Sequence, residues 1–274
     1  MPVDLTKPLA WKTATGDAGA MLSQLQPNIL KGHVREHMQV LLVQFSDQAD
    51  GRAFLGAVGR KMKSAKKHLL EVERFNSPAR TPGTRYIGVG ITRAGYAKIG
   101  IPAAKVPGST KPSASPFRAS MRSADSVATL ADPPVSAWEE PYRHTIHAVV
   151  LIGDRTKASV TATRAEIDAL LTPKVKLLGV EIGRGQRNSN GDGIEHFGYV
   201  DGRSQPLFLE EDIATEHTRR RAGTRASPSA ACSCRTGRRR TRCSTSAASS
   251  SCASSRRTSA PSTRPRRTSH TRSA

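Results

Sequence analysis

Apolar residues along the first two-thirds of the chain fall into short runs of two kinds, and the kinds alternate. Met38 to Phe45 (MQVLLVQF) is a largely apolar run ending at polar Ser46-Asp47, which predicts a buried strand. Asp47 stands where a helix cap belongs, ahead of Ala53, Phe54, Ala57, Val58 and Met62 at helical spacing. A second, basic amphipathic stretch continues to about Val72. Thr84 to Thr92 (TRYIGVGIT) predicts a strand, and Arg93 to Ile99 a short helix stopped by Gly100. Residues 103 to 116, rich in Pro, Ser, Lys and Gly, predict a loop. His144 to Gly153 (HTIHAVVLIG) predicts a third strand. Thr156 to Leu171 predicts a helix with Val160, Ile167, Leu170 and Leu171 on one face and small Thr163 between them. Lys174 to Gly183 (KVKLLGVEIG) predicts a fourth strand. The order strand, helix, strand, strand, helix, strand is the βαββαβ pattern of a ferredoxin-like α+β module, an antiparallel four-stranded sheet with helices on one face.

Composition changes this picture at the C-terminal end. From His217 to Ala274 there is no Val, Ile, Leu, Met, Phe, Tyr, Trp, Lys, Asp, Glu, Asn or Gln. The formal net charge is +21, yet residues 215 to 274 hold fifteen Arg against the single acid Glu216, leaving +7 for the first 214 residues. A strongly basic chain ordinarily points to nucleic acid or a membrane surface; here most of the charge is in the tail. Cys232, Cys234, Cys243 and Cys252 lie there too, so the first 214 residues contain no cysteine and suit a reducing compartment. The domains expected are a flexible segment 1–19, a folded module 20–214 and a disordered Arg/Ser/Ala-rich tail 215–274. Met1 to Lys12 shows no secretory pattern, and no run approaches the roughly 18 apolar residues of a membrane span, so a soluble cytoplasmic protein without a membrane partner is expected.

Candidate chemistry lies between the fourth strand and the tail, in His196-Phe197-Gly198-Tyr199-Val200-Asp201-Gly202-Arg203-Ser204-Gln205-Pro206. An acid bracketed by two glycines is a carboxylate presented on bare backbone, suited to close approach to a flat or bulky ligand. Read alone, it is equally a surface Asp-Gly turn. Other landmarks decide between these readings. Leu25-Gln26-Pro27-Asn28-Ile29-Leu30-Lys31-Gly32-His33, Phe117-Arg118 with Met121, and Trp138-Glu139 through Tyr142-Arg143 to Ile146-His147-Ala148 join Gly198-Tyr199-Val200-Asp201-Gly202 and Ser204-Gln205-Pro206. Together they resemble the dye-decolorizing (DyP-type) haem peroxidases over about residues 20 to 214, with a GxxDG motif at residues 198 to 202.

The resemblance implies the first of two ferredoxin-like modules, with haem b held mainly by the second. It implies hydrogen peroxide and small aromatic reductants, dyes or phenols, as substrates. Asp201 would be the distal acid/base, a role open to a well-placed carboxylate. Burial beside a porphyrin would raise its pKa and a nearby Arg would lower it. Gly198 and Gly202 would let the backbone approach the macrocycle, with His196, Val200, Arg203, Ser204 and Gln205 along its edge. The proximal iron ligand, a histidine in this family, has no matching position, so no metal ligand is assigned. His33, His37, His68, His144, His147 and His196 read as surface, packing or pocket-edge residues. A module without its partner would expose an apolar face, favouring aggregation or a homo-oligomer. Haem binding and turnover are expected to be weak or absent.

The tail has the alphabet of a shifted reading frame. Apart from His, each of its residue types has codons with G or C in the middle, as arises when the GC-rich wobble position becomes the middle base. Ser250 to Pro261 admits VVRKLEENVRA in another frame, similar to a segment that follows GxxDG in these peroxidases. The alternative is a genuine basic arm that binds nucleic acid non-specifically through arginine, with no interleaved aromatic for stacking. The tail cysteines lack CxxC spacing, which speaks against zinc.

Overall fold

The structure, a computed structural model, describes residues 3–4, 6–32, 35–106, 120–200 and 207–221, the last with side chains to Thr218; all lie in the unit Met1–Ser233. Helix α1 (Gly16–Gln24) leads into β1 (His37–Phe45), followed by α2 (Gln48–Lys61), α3 (Ala65–Asn76), β2 (Tyr86–Ile91) and α4 (Arg93–Lys98). The connection to the second half carries α5 (Ala124–Leu130) and α6 (Glu140–Arg143). Then come β3 (Ala148–Asp154), α7 (Lys157–Asp168), β4 (Val175–Arg184), the short strands β5 (Gln186–Arg187) and β6 (Gly193–Ile194), and α8 (Glu210–Arg221). The sheet order is β2-β3-β1-β4 with every neighbouring pair antiparallel, the ferredoxin-like arrangement expected from the element order.

Local chemistry explains these elements. The Asp47 side chain accepts from the backbone N–H groups of Ala49 and Asp50, so α2 begins where its cap residue stands. Thr156 caps α7 through Ser159 N–H, and Val160, Thr163 and Ile167 are its buried face. Those residues meet Phe54 and Val58 of α2 over Leu41, Val43, Phe45, Ile87, Val150 and Ile152 of the sheet. The other sheet face is approached by α6 at Gly179, where an added Cβ would lie 2.6 Å from Pro141. The β1–β4 register shifts between Leu42 and Val43, a bulge on an edge strand that disfavours pairing with another chain. At the opposite edge, the Gln26 amide donates to Val89 O (2.9 Å) and accepts from Val89 N–H (3.0 Å), substituting for a neighbouring strand.

Two observations concern the segments expected to end at residues 19 and 214. Within the segment expected to be flexible, Leu9 bridges Leu209 in parallel, and Trp11 joins Leu22, Ala65, Leu69 and Leu209 in a second cluster. Residues 200 positions apart make this interface, including Trp11 N–H to Glu211, and no local pattern reports such pairing. At the other end, α8 spans Glu210–Arg221, across residue 214. Its first-turn acids suit a helix N-terminus, Asp212 pairs with Lys31 at 2.6 Å, and the absence of Gly and Pro until Gly223 lets the turns continue. Smaller differences are a third strand starting at Ala148 rather than His144, and α3 extending to Asn76. The predicted loop opens on a 3-10 turn, Ala103–Lys105, and its part from residue 107 on lies outside the described residues. No helix among the described residues is long and apolar enough to cross a membrane.

Candidate functional site

Beyond β4 the chain leaves the sheet and folds on itself. Gly185 N–H still bonds Glu36 O, after which β5 and β6 form a two-rung hairpin. Its turn is closed by Asn188, whose side-chain oxygen accepts from Asn190 and Asp192 N–H, an Asx arrangement with Gly191 at φ +83°. A second turn follows at once. Glu195 N–H donates to Tyr199 O (2.8 Å), Gly198 N–H donates to Glu195 O (2.9 Å), and Ile194 bridges Val200. Gly198 sits at φ +89°, a conformation for which an L side chain carries a steric cost, so the first glycine of the motif is what lets this turn close.

This tongue, residues 186 to 200, presents apolar side chains to solvent: Phe197 is 85% exposed, Tyr199 72% and Val200 58%. Among large apolar groups, Ile182 at the end of β4 is 79% exposed. When description resumes after the motif, Phe208 is half exposed while Leu209 is fully buried. Contiguous exposed apolar groups on an otherwise ordinary surface mark a place where something binds.

Of the residues predicted for the site, His196, Gly198 and Val200 lie on the tongue. Asp201, Gly202, Arg203, Ser204 and Gln205 lie outside the described residues, as do Phe117, Arg118 and His33. The exposed His196 ring meets Gln186 across the hairpin, Nδ1 to Nε2 at 2.9 Å, with the amide donating. His144 pairs with Glu140 at 2.5 Å on the surface, and His37 is half-buried on β1. His68 and His147 are interior, at 2% and 6% exposure. Burial holds both rings below the ordinary histidine range, aided by Lys98 at His147 and opposed by Gly32 O at His68. No group of three His, Cys, Asp or Glu side chains is positioned to hold a metal ion among the described residues.

The landmark Trp138-Glu139 through Tyr142 folds against β4. Tyr142 OH donates to Glu181 (3.0 Å), and burial together with that carboxylate pushes the phenol up. With Trp138 and Glu139 they line a pocket of about 360 Å³. A second pocket of about 360 Å³ is bounded by Trp11, Lys31, Leu69 and Glu211. Neither is lined by a tongue residue. The described residues therefore offer a bound macrocycle one open face rather than an enclosure, and by themselves they do not fit a haem. Sequence reasoning missed Gln186 and Glu181; each sits on a strand among residues that read as ordinary strand polar positions, and nothing local reports its partner.

No family model matches the chain. The multifunctional dye peroxidase DyP2 of Amycolatopsis sp. is 50% identical over 216 residues, which is 79% of this chain and 44% of that protein. The dye-decolorizing peroxidase msp1 of Mycetinis scorodonius is 29% identical over 199 residues, 71% of this chain and 35% of that protein. Among solved structures, DyP2 from Amycolatopsis sp. superposes with a TM-score of 0.71 at 49% identity, covering 78% of this chain and 44% of that one. A DyP-type peroxidase of Anabaena sp. superposes at 0.69 with 30% identity, covering 81% and 47%. The chain thus spans less than half the length of the relatives it matches.

Proposed function

Because about four-fifths of the chain belongs to the dye-decolorizing (DyP-type) peroxidase family, we propose that it is the leading part of a haem peroxidase that reduces hydrogen peroxide and oxidises dyes or phenols. The observation that carries this reading is the tongue, where Phe197, Tyr199 and Val200 stand uncovered immediately before the glycine-bracketed Asp201. Apolar groups held uncovered in an ordered turn that precedes an acid in sequence suit a flat apolar ligand, with a polar reactant served by the acid. Asp201 is assigned the acid/base role, accepting a proton from peroxide and returning it. Gly198 shapes the turn before it, and His196, Val200, Gly202, Arg203, Ser204 and Gln205 form the edge.

In this reading haem b supplies the redox chemistry, and the residues that would complete its enclosure lie beyond residue 216, where the reading frame has been lost. The chain itself is then catalytically impaired. Support comes from the tail alphabet. A cysteine-free body suits a cytoplasmic location, and the uncovered tongue favours self-association.

The test compares the chain with a version whose frame is restored after about residue 216. The restored protein is expected to take up haem with a Soret band and turn over peroxide; the chain as it stands is expected to do neither. In the restored protein Asp201→Asn should keep the Soret band and slow peroxide consumption, because an amide cannot accept and return the proton. Stoichiometric haem with brisk turnover in the unrestored chain would overturn the truncation. Salt-sensitive RNA retention without haem uptake in both proteins would favour a nucleic-acid-binding arm instead.

A further inference from the structure

Independently of the peroxidase reading, we propose that the His147 ring is an acid-sensitive joint that holds the end of the central sheet closed at Phe45 only while its imidazole is neutral. The β1–β3 ladder ends at the pair Val43 and Ala148. One residue beyond, His147 N–H donates to Val43 O at 2.9 Å, and its ring then replaces the strand: Nδ1 accepts from Phe45 N–H at 2.8 Å. The ring also stacks on the Phe45 side chain, centroids 5.7 Å apart and planes 19° from parallel. The carbonyl oxygen of His147 accepts from Thr92 N–H at 3.1 Å, at the cap of α4. Gly95 of α4 presses against it so closely that a Cβ there would be 1.9 Å away, and Gly51 of α2 covers Phe45 with its Cβ position 3.0 Å from the ring. The ring therefore closes the last rung of the sheet at Phe45, while the backbone carbonyl of His147 meets α4 and the Phe45 ring meets α2.

The direction of the hydrogen bond fixes the protonation state. An amide N–H needs an acceptor, and an imidazolium has none because both nitrogens carry hydrogen. Protonation would set two donors against each other at 2.8 Å inside a site that is 6% exposed. Lys98, on α4, is the charged group whose field the ring experiences, and it repels an added positive charge; Phe45 from β1, Gly51 from α2 and Thr92 and Gly95 at the start of α4 carry none. Burial first, then Lys98, place the ring below the ordinary histidine range. Its contribution is complete above the unfolded value of about 6.5 and is lost as pH falls below that toward the folded one. His68 is a natural control. It is equally interior, but its Nε2 faces the acceptor Gly32 O at 3.4 Å, a contact that protonation leaves intact.

The experiment is amide hydrogen exchange on the full chain at pH 7 and pH 5, corrected for intrinsic rates, with His147→Asn beside it. The asparagine oxygen reaches the position of Nδ1, accepts the Phe45 N–H and does not titrate. Protection of the Phe45 amide is expected to fall on acidification in the histidine protein and to stay level in the asparagine variant. Equal loss in both, or no loss in the histidine protein, overturns the joint. Should the variant fail to fold, an NMR titration of the His147 ring decides: a midpoint below about 6.5 supports the joint, and one at or above it overturns it.

Discussion

The sheet body, residues 37 to 184, holds Leu41, Val43, Val150 and Ile152 at no measurable exposure, while the tongue of residues 186 to 200 leaves Phe197 at 85%. Both are ordered by backbone hydrogen bonds, so order is not what separates them. The difference lies in what each segment spends its apolar residues on. In the body they face each other across two layers, and hydrophobic burial holds the fold. In the tongue, turn chemistry at Asn188, Gly191 and Gly198 holds the shape, and the apolar groups are left for a partner. A segment stable without burying its apolar groups can offer them to a ligand or another surface at little cost to the fold.

The sharpest way to break this comparison is a matched pair of truncations. Leu41→Ala opens a cavity at a fully buried position and should lower stability by about 2–5 kcal/mol, whereas Phe197→Ala should change it by no more than about 0.5 kcal/mol. Urea unfolding of both variants measures the contrast. Equal losses would mean that the tongue is part of the core.

Two glycines sharpen it. Gly95→Ala would drive a Cβ into the His147 carbonyl, a clash between backbones that no side-chain rotation relieves, and about 1–3 kcal/mol or more of global stability should go. Gly198→Ala meets nothing within 4 Å but forces alanine to φ +89°, a strain of about 1–2 kcal/mol. The tongue should release that strain by opening its own turn. Exchange of the Gly198 amide should speed up while the urea midpoint of the body stays put. A shifted midpoint would show the tongue to be coupled to the core.

Gln26 tests an edge rather than a layer. Gln26→Leu removes both bonds to Val89 and leaves that strand edge without its substitute partner, at about 1–3 kcal/mol if the groups remain buried. Urea unfolding reads the loss, and exchange at the Val89 amide should rise with it. Unchanged exchange at Val89 would mean that water replaces the glutamine without penalty.

What was legible in the sequence follows the same division. The strand at Met38 to Phe45, the Asp47 cap and the buried face of Val160, Thr163 and Ile167 could be read because each is a local pattern whose period matches the element. Gln26, Glu211 and Lys31 could not, since each closes a contact 60 to 200 residues away with chemistry available to any surface polar group. The packing of Trp11 and Leu9 against Leu209 was not legible either, because apolar residues about 200 positions apart share no local period. Long-range polar pairing leaves no period to read.

The smallest effect expected concerns the surface of the body. Glu166 of α7 bonds Arg85 ahead of β2 and Lys61 at the end of α2 (2.9 Å to the latter), and these cations, Arg85 foremost, bring its carboxyl down to about 2. A depressed carboxylate contributes stability above its unfolded value, about 4.5, and loses that contribution as pH falls from there toward about 2. All three side chains are about a third exposed, so solvent screens the pair and the contribution at neutral pH should stay below about 1 kcal/mol despite the large shift. Glu166→Gln should therefore differ slightly from the unaltered chain at pH 7, converge with it near pH 2–3, and converge also in high salt at pH 7. A gap that widens on acidification would reverse the sign of this argument. A gap indifferent to salt would mean that the strap between the two helices and β2 is shielded like the core, and the line between interior and surface would have to be drawn further out.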